Sequence, residues 1–220
     1  MSNSDITSDF TPFNQDFLDF KILNKKISNW AVIYNFELNY AWQLLELQNL
    51  IFAEAQASRL EGSISPAAHI DGTIIHLGEG STILPGVYIE GKVSIGKNCK
   101  IGPNCYIRGN TSIGNDCRIG QSVEIKNSWI GNHTNVGHLS YVGDSVLGNQ
   151  VNFGAGTSIA NLRHDKKEQK IKLHGELMDT GMRKLGAIIG HGTKTGIHTS
   201  IYPATLVAQD TLTLPQAIIK

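Results

Sequence analysis

The fold class that this sequence predicts is all-β: a parallel β-helix of hexapeptide repeats with an N-terminal, partly helical cap. Three observations predict it. Isoleucine recurs at steps of six through Ile83, Ile89, Ile95, Ile101, Ile107, Ile113, Ile119 and Ile125, a period too short for a helical repeat and too regular for an isolated strand. Glycine often follows the aliphatic residue and a small Ser, Thr, Cys or Val stands four residues after it, as IGKNCK, IGPNCY, IRGNTS, IGNDCR and IGQSVE spell out. Residues before about position 60 lack the period and hold one amphipathic stretch, which divides the chain into an N-terminal segment, 1–62, and a solenoid, 63–220.

Taken in order, segment 13–40 mixes helix and strand signals, and periodicity does not resolve it. In AWQLLELQNLIFAEAQAS, Trp42, Leu45 and Phe52 fall near one helical face and Leu44, Leu47, Ile51 and Ala55 on a neighbouring stripe, so this stretch reads as an amphipathic helix. Gly62 and Pro66 suit its end. The open first coil of a solenoid needs covering, and this helix is the expected cap.

The hexapeptide register takes hold at Leu77. Each unit supplies a short strand and a turn, and three units, roughly 18 residues, close one triangular coil. The register slips by one residue at Ile130 and again at Leu147, then resumes through Val136, Val142, Phe153 and Ile159, which implies small local adjustments of the strands. It is lost over 162–186, a charged excursion containing RHDKKEQKIK, and returns at Ile189, Thr195, Ile201 and Val207. A loop of that length in a solenoid is where function is expected.

At 220 residues and 40% hydrophobic content the chain can form one sizeable core. Lys plus Arg and Asp plus Glu number 19 each, so no net field draws it to nucleic acid or to an acidic membrane, and a small-molecule partner is expected. MSNSDITSDF has no basic n-region and no stretch is apolar enough to span a bilayer, so a cytoplasmic location is expected. Cys99, Cys105 and Cys117 share the small inward phase of the period and read as reduced core thiols, neither disulfides nor metal ligands.

Polar groups that a β-helix does not need concentrate in VEIKNSWIGNHTNVGHLSYVGDSVLGNQVNFGAGTSIANLRHDKK. His138 and Tyr141 are three apart, Asn152, Asn161 and Lys167 follow, and GAG at 154–156 lets a ligand approach the backbone. Histidine is the side chain best matched to removing a proton near neutral pH. An amine attacking a thioester needs positioning, deprotonation and a stabilised oxyanion, which backbone N–H groups supply.

VEIKNS, HLSYVGD, VNFGAGT and ANLR, in this order and spacing, resemble the acetyltransferase domain of the bifunctional glucosamine-1-phosphate acetyltransferase and N-acetylglucosamine-1-phosphate uridylyltransferase family. The chain is most similar to the archaeal-type sugar-1-phosphate nucleotidylyltransferase and acetyltransferase branch, where Leu-Arg follows the asparagine and a segment like Arg183 to Ala187 leads into the last coils. The resemblance covers roughly 42–208 and implies a left-handed solenoid, although parallel crossovers are otherwise right-handed. It implies an acetyl-CoA-dependent N-acetyltransferase acting on an amino-sugar 1-phosphate, glucosamine or galactosamine 1-phosphate, with no metal. His138 would be the general base. Arg108 and Lys126 would bind the phosphate, as a forked guanidinium and a mobile point charge suit. Tyr141 and Asn152 would hold the sugar, with Lys167 completing the pocket, and Ala155 and Asn161 would meet acetyl-CoA. A homotrimer with sites between subunits is implied too.

Two departures bear on this. The first 60 residues have no glycine-rich nucleotide loop and are too short for a nucleotidylyltransferase domain, so acetyl transfer alone is expected. At the other end TLTLPQAIIK follows Val207 almost at once, so the coils that help hold coenzyme A are expected to stop one short of the family. Each residue also has a plainer reading. His138 taken alone is a surface histidine on a turn, Arg108 a solvated arginine, Asn152 and Asn161 turn residues, and Lys167 part of a charge run. Two rival functions remain: a non-catalytic trimeric scaffold or sensing module, and a zinc-dependent γ-type carbonic anhydrase using His133 and His138. Zinc would need a third ligand about two coils upstream, where Lys97 stands.

Overall fold

A short strand with one aliphatic residue cannot bury it alone, so the hexapeptide units close on one another. A computed structural model describes residues 39–55, 58–173 and 176–220; the mixed signals of 13–38 lie outside the described residues. The chain winds into a parallel β-solenoid of about nine turns with three faces. Face A holds Ser63–Ile64, Thr82–Ile83, Lys100–Ile101, Arg118–Gln121, Asn135–His138 and Asn152–Phe153. Face B follows it in each coil, through Tyr106–Arg108, Glu124–Lys126, Tyr141–Gly143, Ser158–Ile159, Ser200–Ile201 and Ile218–Ile219. Face C completes the coil, through Thr111–Ile113, Trp129–Ile130, Val146–Leu147, Ala187–Ile189 and Thr205–Val207. The longer strands His69–Leu77 and Tyr88–Ile95 run through both B and C.

The register explains the period. Ile107 lies beside Ile125 on the next coil, eighteen residues on, whereas Ile125 lies beside Val142, only seventeen on. Both slips read from the sequence therefore fall at one place, the corner between B and C. All eight isoleucines of the series are at most 3% exposed and belong to one central core, which also holds Cys99, Cys105 and Cys117. Each such aliphatic side chain is worth about 1.5–3 kcal/mol when fully buried. The three cysteines are free thiols, and burial pushes the Cys105 thiol up to about 12. Corners are turned by residues at positive φ, including Asn98, Asn104, Asp116, Asn127 and Asp144, because Asn and Asp tolerate the left-handed region better than other side chains.

Three expectations change. The coils begin before Leu77: Arg59–Leu60 pairs with His76–Leu77, and Ser63–Ile64 with Thr82–Ile83. Ile64 and Ile70 keep the six-residue step there, and a one-residue bulge between Ile74 and His76 breaks it before Leu77. The helix, α1 (Leu44–Glu54), lies along the flank of face C instead of over the first coil. Its Leu44, Leu45, Leu47, Ile51 and Phe52 share a second core with Ile75, Trp129, Val146 and Ile188 from the outside of that face, and Gln48 Nε2 donates to the Asn110 carbonyl. Finally, TLTLPQAIIK is itself part of the solenoid: Leu212 bridges to Lys194, and Ile218–Ile219 pairs with Ser200–Ile201. Thr213 and Ile219 continue the six-residue step from Val207.

The excursion leaves and returns at one corner, where Leu162 bridges to Lys184. It carries a hairpin of Lys170–Leu173 against Glu176–Asp179. Ile171 and Leu173 join the second core beside α1.

Candidate functional site

The shortened corner between B and C builds the first half of the site. In three successive coils the residue two positions after the inward aliphatic is Asn127, Asp144 and Asn161, following Ile125, Val142 and Ile159. These stack as a ladder. The Asp144 carboxylate accepts from Asn127 Nδ2 at 2.9 Å on one oxygen, and from Asn161 Nδ2 and Lys126 Nζ, the latter at 2.8 Å, on the other. Asp144 is 5% exposed in its side chain and Lys126 18%, so this is a largely desolvated ion pair whose remaining lone pairs are satisfied.

Tyr141 closes the group. Asn161 Nδ2 also donates to Tyr141 Oη at 3.1 Å, and burial, helped by the nearby Glu124 and Asp144 carboxylates, raises the phenol pKa. Gly143 makes room for this: a Cβ there would stand 2.5 Å from Tyr141 Oη and 2.8 Å from Asn161 Nδ2. Arg108 lies one coil from Lys126 in the same row, but its guanidinium is held by Glu124 at 2.8 Å. That bond raises the Arg108 pKa. Each cation thus brings a carboxylate, and the corner presents donors and acceptors in alternation, a set that suits hydroxyls and an ammonium as well as an anion.

The second half lies across face B, at the corner between A and B. His138 ends its face A strand and is exposed; within the described residues its imidazole has no hydrogen-bond partner. Ala155 stands at the same corner one coil further, where Gly156 N–H donates to the His138 carbonyl at 3.1 Å. The Ala155 N–H itself has no partner within the described residues. Asn152 sits three residues earlier on face A, exposed, in a row with Arg118, Asn135 and Lys194. Three residues of strand separate the two corners, about 10 Å.

The structure therefore brings Lys126, Tyr141 and Asn161 into one network, with Arg108 adjacent, and stacks Ala155 on His138. It does not bring Lys167 to either group: that residue is exposed on the excursion, where its backbone N–H donates to Asp165 Oδ1 at 3.2 Å. Asp144, Asn127 and Glu124 were missed. Two one-residue slips at one corner, with Asn127 inside the first shortened turn and Asp144 inside the second, are the signal that marks those two. His133 lies at the other end of the face A strand, 3.7 Å from Asp116, five residues or about 16 Å from His138, so the two do not share a metal within one chain. Among the described residues no three His, Cys, Asp or Glu side chains converge.

These features define a hexapeptide-type parallel solenoid with a polar corner and an exposed histidine on opposite edges of one face. The chain belongs to the family described as GMPPB C-terminal domain, which it matches over 89–220. It is 40% identical to a bifunctional sugar-1-phosphate nucleotidylyltransferase/acetyltransferase of Sulfurisphaera tokodaii, over 84% of this chain and 46% of that protein. It is 36% identical to the bifunctional protein GlmU of Methanococcus maripaludis, over 94% of this chain and 52% of that one. The chain thus spans about half the length of the curated relatives it matches. A solved structure of GDP-perosamine N-acetyl transferase from Caulobacter crescentus overlaps 88% of this chain and 59% of that one at 15% identity and a TM-score of 0.30, a likeness too low to bear on function. No helix among the described residues is long and apolar enough to cross a membrane.

Proposed function

We propose that the chain is an acetyl-CoA-dependent N-acetyltransferase acting on an amino-sugar 1-phosphate. The observation that carries this reading is the pairing of the Lys126–Asp144–Asn161–Tyr141 network with a His138 imidazole that is unengaged among the described residues and stands beside Ala155. The names of the relatives, an acetyltransferase joined to a sugar-1-phosphate nucleotidylyltransferase, agree with it.

In this reading the sugar lies across face B. Tyr141 and Asn152 hold its hydroxyls, Arg108 and Lys126 meet its phosphate, and Asn161 and Ala155 meet the acyl donor. His138 takes a proton from the sugar ammonium, leaving a neutral amine. The amine attacks the thioester carbonyl, and the Ala155 N–H stabilises the oxyanion. The nitrogen then loses its second proton to solvent as the carbon–sulfur bond breaks and the amide forms, and the leaving thiolate recovers the first proton from the imidazolium. No step calls for a metal. His138 and the polar corner stand on opposite edges of one face, so a homotrimer in which a second subunit closes the cleft completes the site.

The test is thiol release from acetyl-CoA with glucosamine 1-phosphate and galactosamine 1-phosphate, with the acetylated product identified by mass. Release that requires the sugar and falls about 10²-fold or more in His138→Ala, with the oligomer intact, is the expected result. Wild-type turnover in that variant removes His138 from the role of base. No release with either sugar from folded protein leaves a non-catalytic scaffold as the better reading.

A further inference from the structure

At the corner between faces A and B, three successive coils turn through His138, then Ala155 and Gly156, then Ile197 and His198. Backbone hydrogen bonds tie these rungs together: Gly156 N–H donates to the His138 carbonyl at 3.1 Å, and His198 N–H to the Ala155 carbonyl at 2.8 Å. His198 is exposed, as His138 is, and within the described residues its imidazole has no hydrogen-bond partner. Other histidines are engaged. His69 stacks on Tyr88, His133 stands 3.7 Å from Asp116, and His191 Nδ1 accepts from the Asn149 N–H.

The His198 ring is folded down onto the rung of Ala155 and Gly156. Its Nδ1 lies 2.5 Å and its Cε1 2.9 Å from where a Gly156 Cβ would stand, so the glycine clears space for this imidazole as Gly143 does for the Tyr141 phenol. Adjacent rungs are about 4.8 Å apart. The Ala155 N–H, without a partner within the described residues, is therefore flanked by one imidazole from the rung below and by another from the rung above.

Acyl transfer to an ammonium has two protons to remove, since the nitrogen starts with three and the amide keeps one. His138 takes the first before attack. The second becomes acidic only once the carbon–nitrogen bond has formed and the nitrogen is again positively charged, and by then His138 already holds a proton. We propose that His198 is the second base of this site: its imidazole takes that proton from the nitrogen of the tetrahedral intermediate and passes it to solvent, while His138 returns the first to the leaving thiolate. An exposed imidazole suits the task, because it exchanges protons near neutral pH and here has the reacting centre on one side and water on the other. This role rests on the acetyl-transfer reading.

Thiol release by the full chain, resolved into kcat and KM for both substrates, tests it in wild type, His198→Gly and His198→Asn, each with and without added imidazole. His198 holds a φ of 55°, which glycine and asparagine both accept, so melting temperatures near wild type are expected. His198→Gly should lower kcat about tenfold or more at unchanged KM, and added imidazole should restore turnover in proportion to its concentration. His198→Asn keeps a hydrogen-bond donor but carries no proton, and should be as slow as His198→Gly. Wild-type turnover in either variant, a raised KM with kcat intact, or no response to imidazole overturns the second base and leaves the acetyl-transfer reading standing. No thiol release from folded wild-type protein with either sugar 1-phosphate overturns that reading, and the second base with it.

Discussion

Asp144 is the residue on which the polar corner depends. It accepts from Asn127 below, Asn161 above and Lys126 beside it, and its carbonyl receives the Gly186 N–H at 2.8 Å, where the excursion rejoins the coil. Replacing it by alanine leaves a half-buried ammonium and two carboxamides without their acceptor. A broken buried pair costs about 3–5 kcal/mol, and because Lys126 still reaches solvent the lower end applies. Asp144→Ala should therefore lose about 3 kcal/mol in urea unfolding, and Lys126→Met combined with it should recover part of that loss. A double variant no more stable than Asp144→Ala would mean that the carboxylate acts through the asparagines and not through the lysine. The candidate residues Lys126, Tyr141 and Asn161 were legible in the sequence because they stand in recognisable motifs. Asp144 was not, because an aspartate in a turn is ordinary, and its meaning comes from the coils above and below it.

At the scale of the elements, the central solenoid was legible for a physical reason: one inward aliphatic per strand leaves a bare period in the sequence. Where another surface covers the strand, the pattern blurs. Face C carries outward apolar residues, Trp129, Val146 and Ile188, that pack under α1, and no six-residue rule announces what covers them. The first rung is blurred in the same way. His76, 5% exposed, is covered by the short strand Arg59–Leu60, and its Nδ1 has no partner within the described residues. Burial lowers its pKa; Glu61 opposes this, Arg59 and Lys97 add to it, and the backbone hydrogen bond with Arg59 opposes it. A histidine whose folded pKa is depressed takes up its proton more readily in the unfolded chain. Its contribution to stability is thus full above the ordinary value of 6.5 and is lost as pH falls through the lowered one. Wild type should show a fall in melting temperature below about pH 6.5 that is shallower in His76→Gln. Identical pH profiles for the two would place the acid sensitivity elsewhere.

For the whole molecule, the solenoid and its lateral cover are two cores that share a wall. Solenoid coils contact mainly their neighbours, so the coil stack has no intrinsic means of holding the excursion against face C. The second core supplies one: α1, the hairpin residues Ile171 and Leu173, and Leu185 at the return of the chain all belong to it. The segment that carries Arg163 and Lys170 is thereby anchored by residues far upstream in sequence. Trp42, 3% exposed, stacks on Tyr40 at 4.4 Å at the entrance to α1, and truncating a buried tryptophan costs about 3–5 kcal/mol. If the cores are separate cooperative units, Trp42→Ala should speed hydrogen exchange in Lys170–Leu173 about 10²-fold or more while leaving face A strands such as Arg118–Gln121 at wild-type rates. Equal acceleration in both would make the molecule a single unit. Protection of the hairpin unchanged in the variant would show that face C holds the excursion without α1, and the upstream segment would then have no purchase on the site.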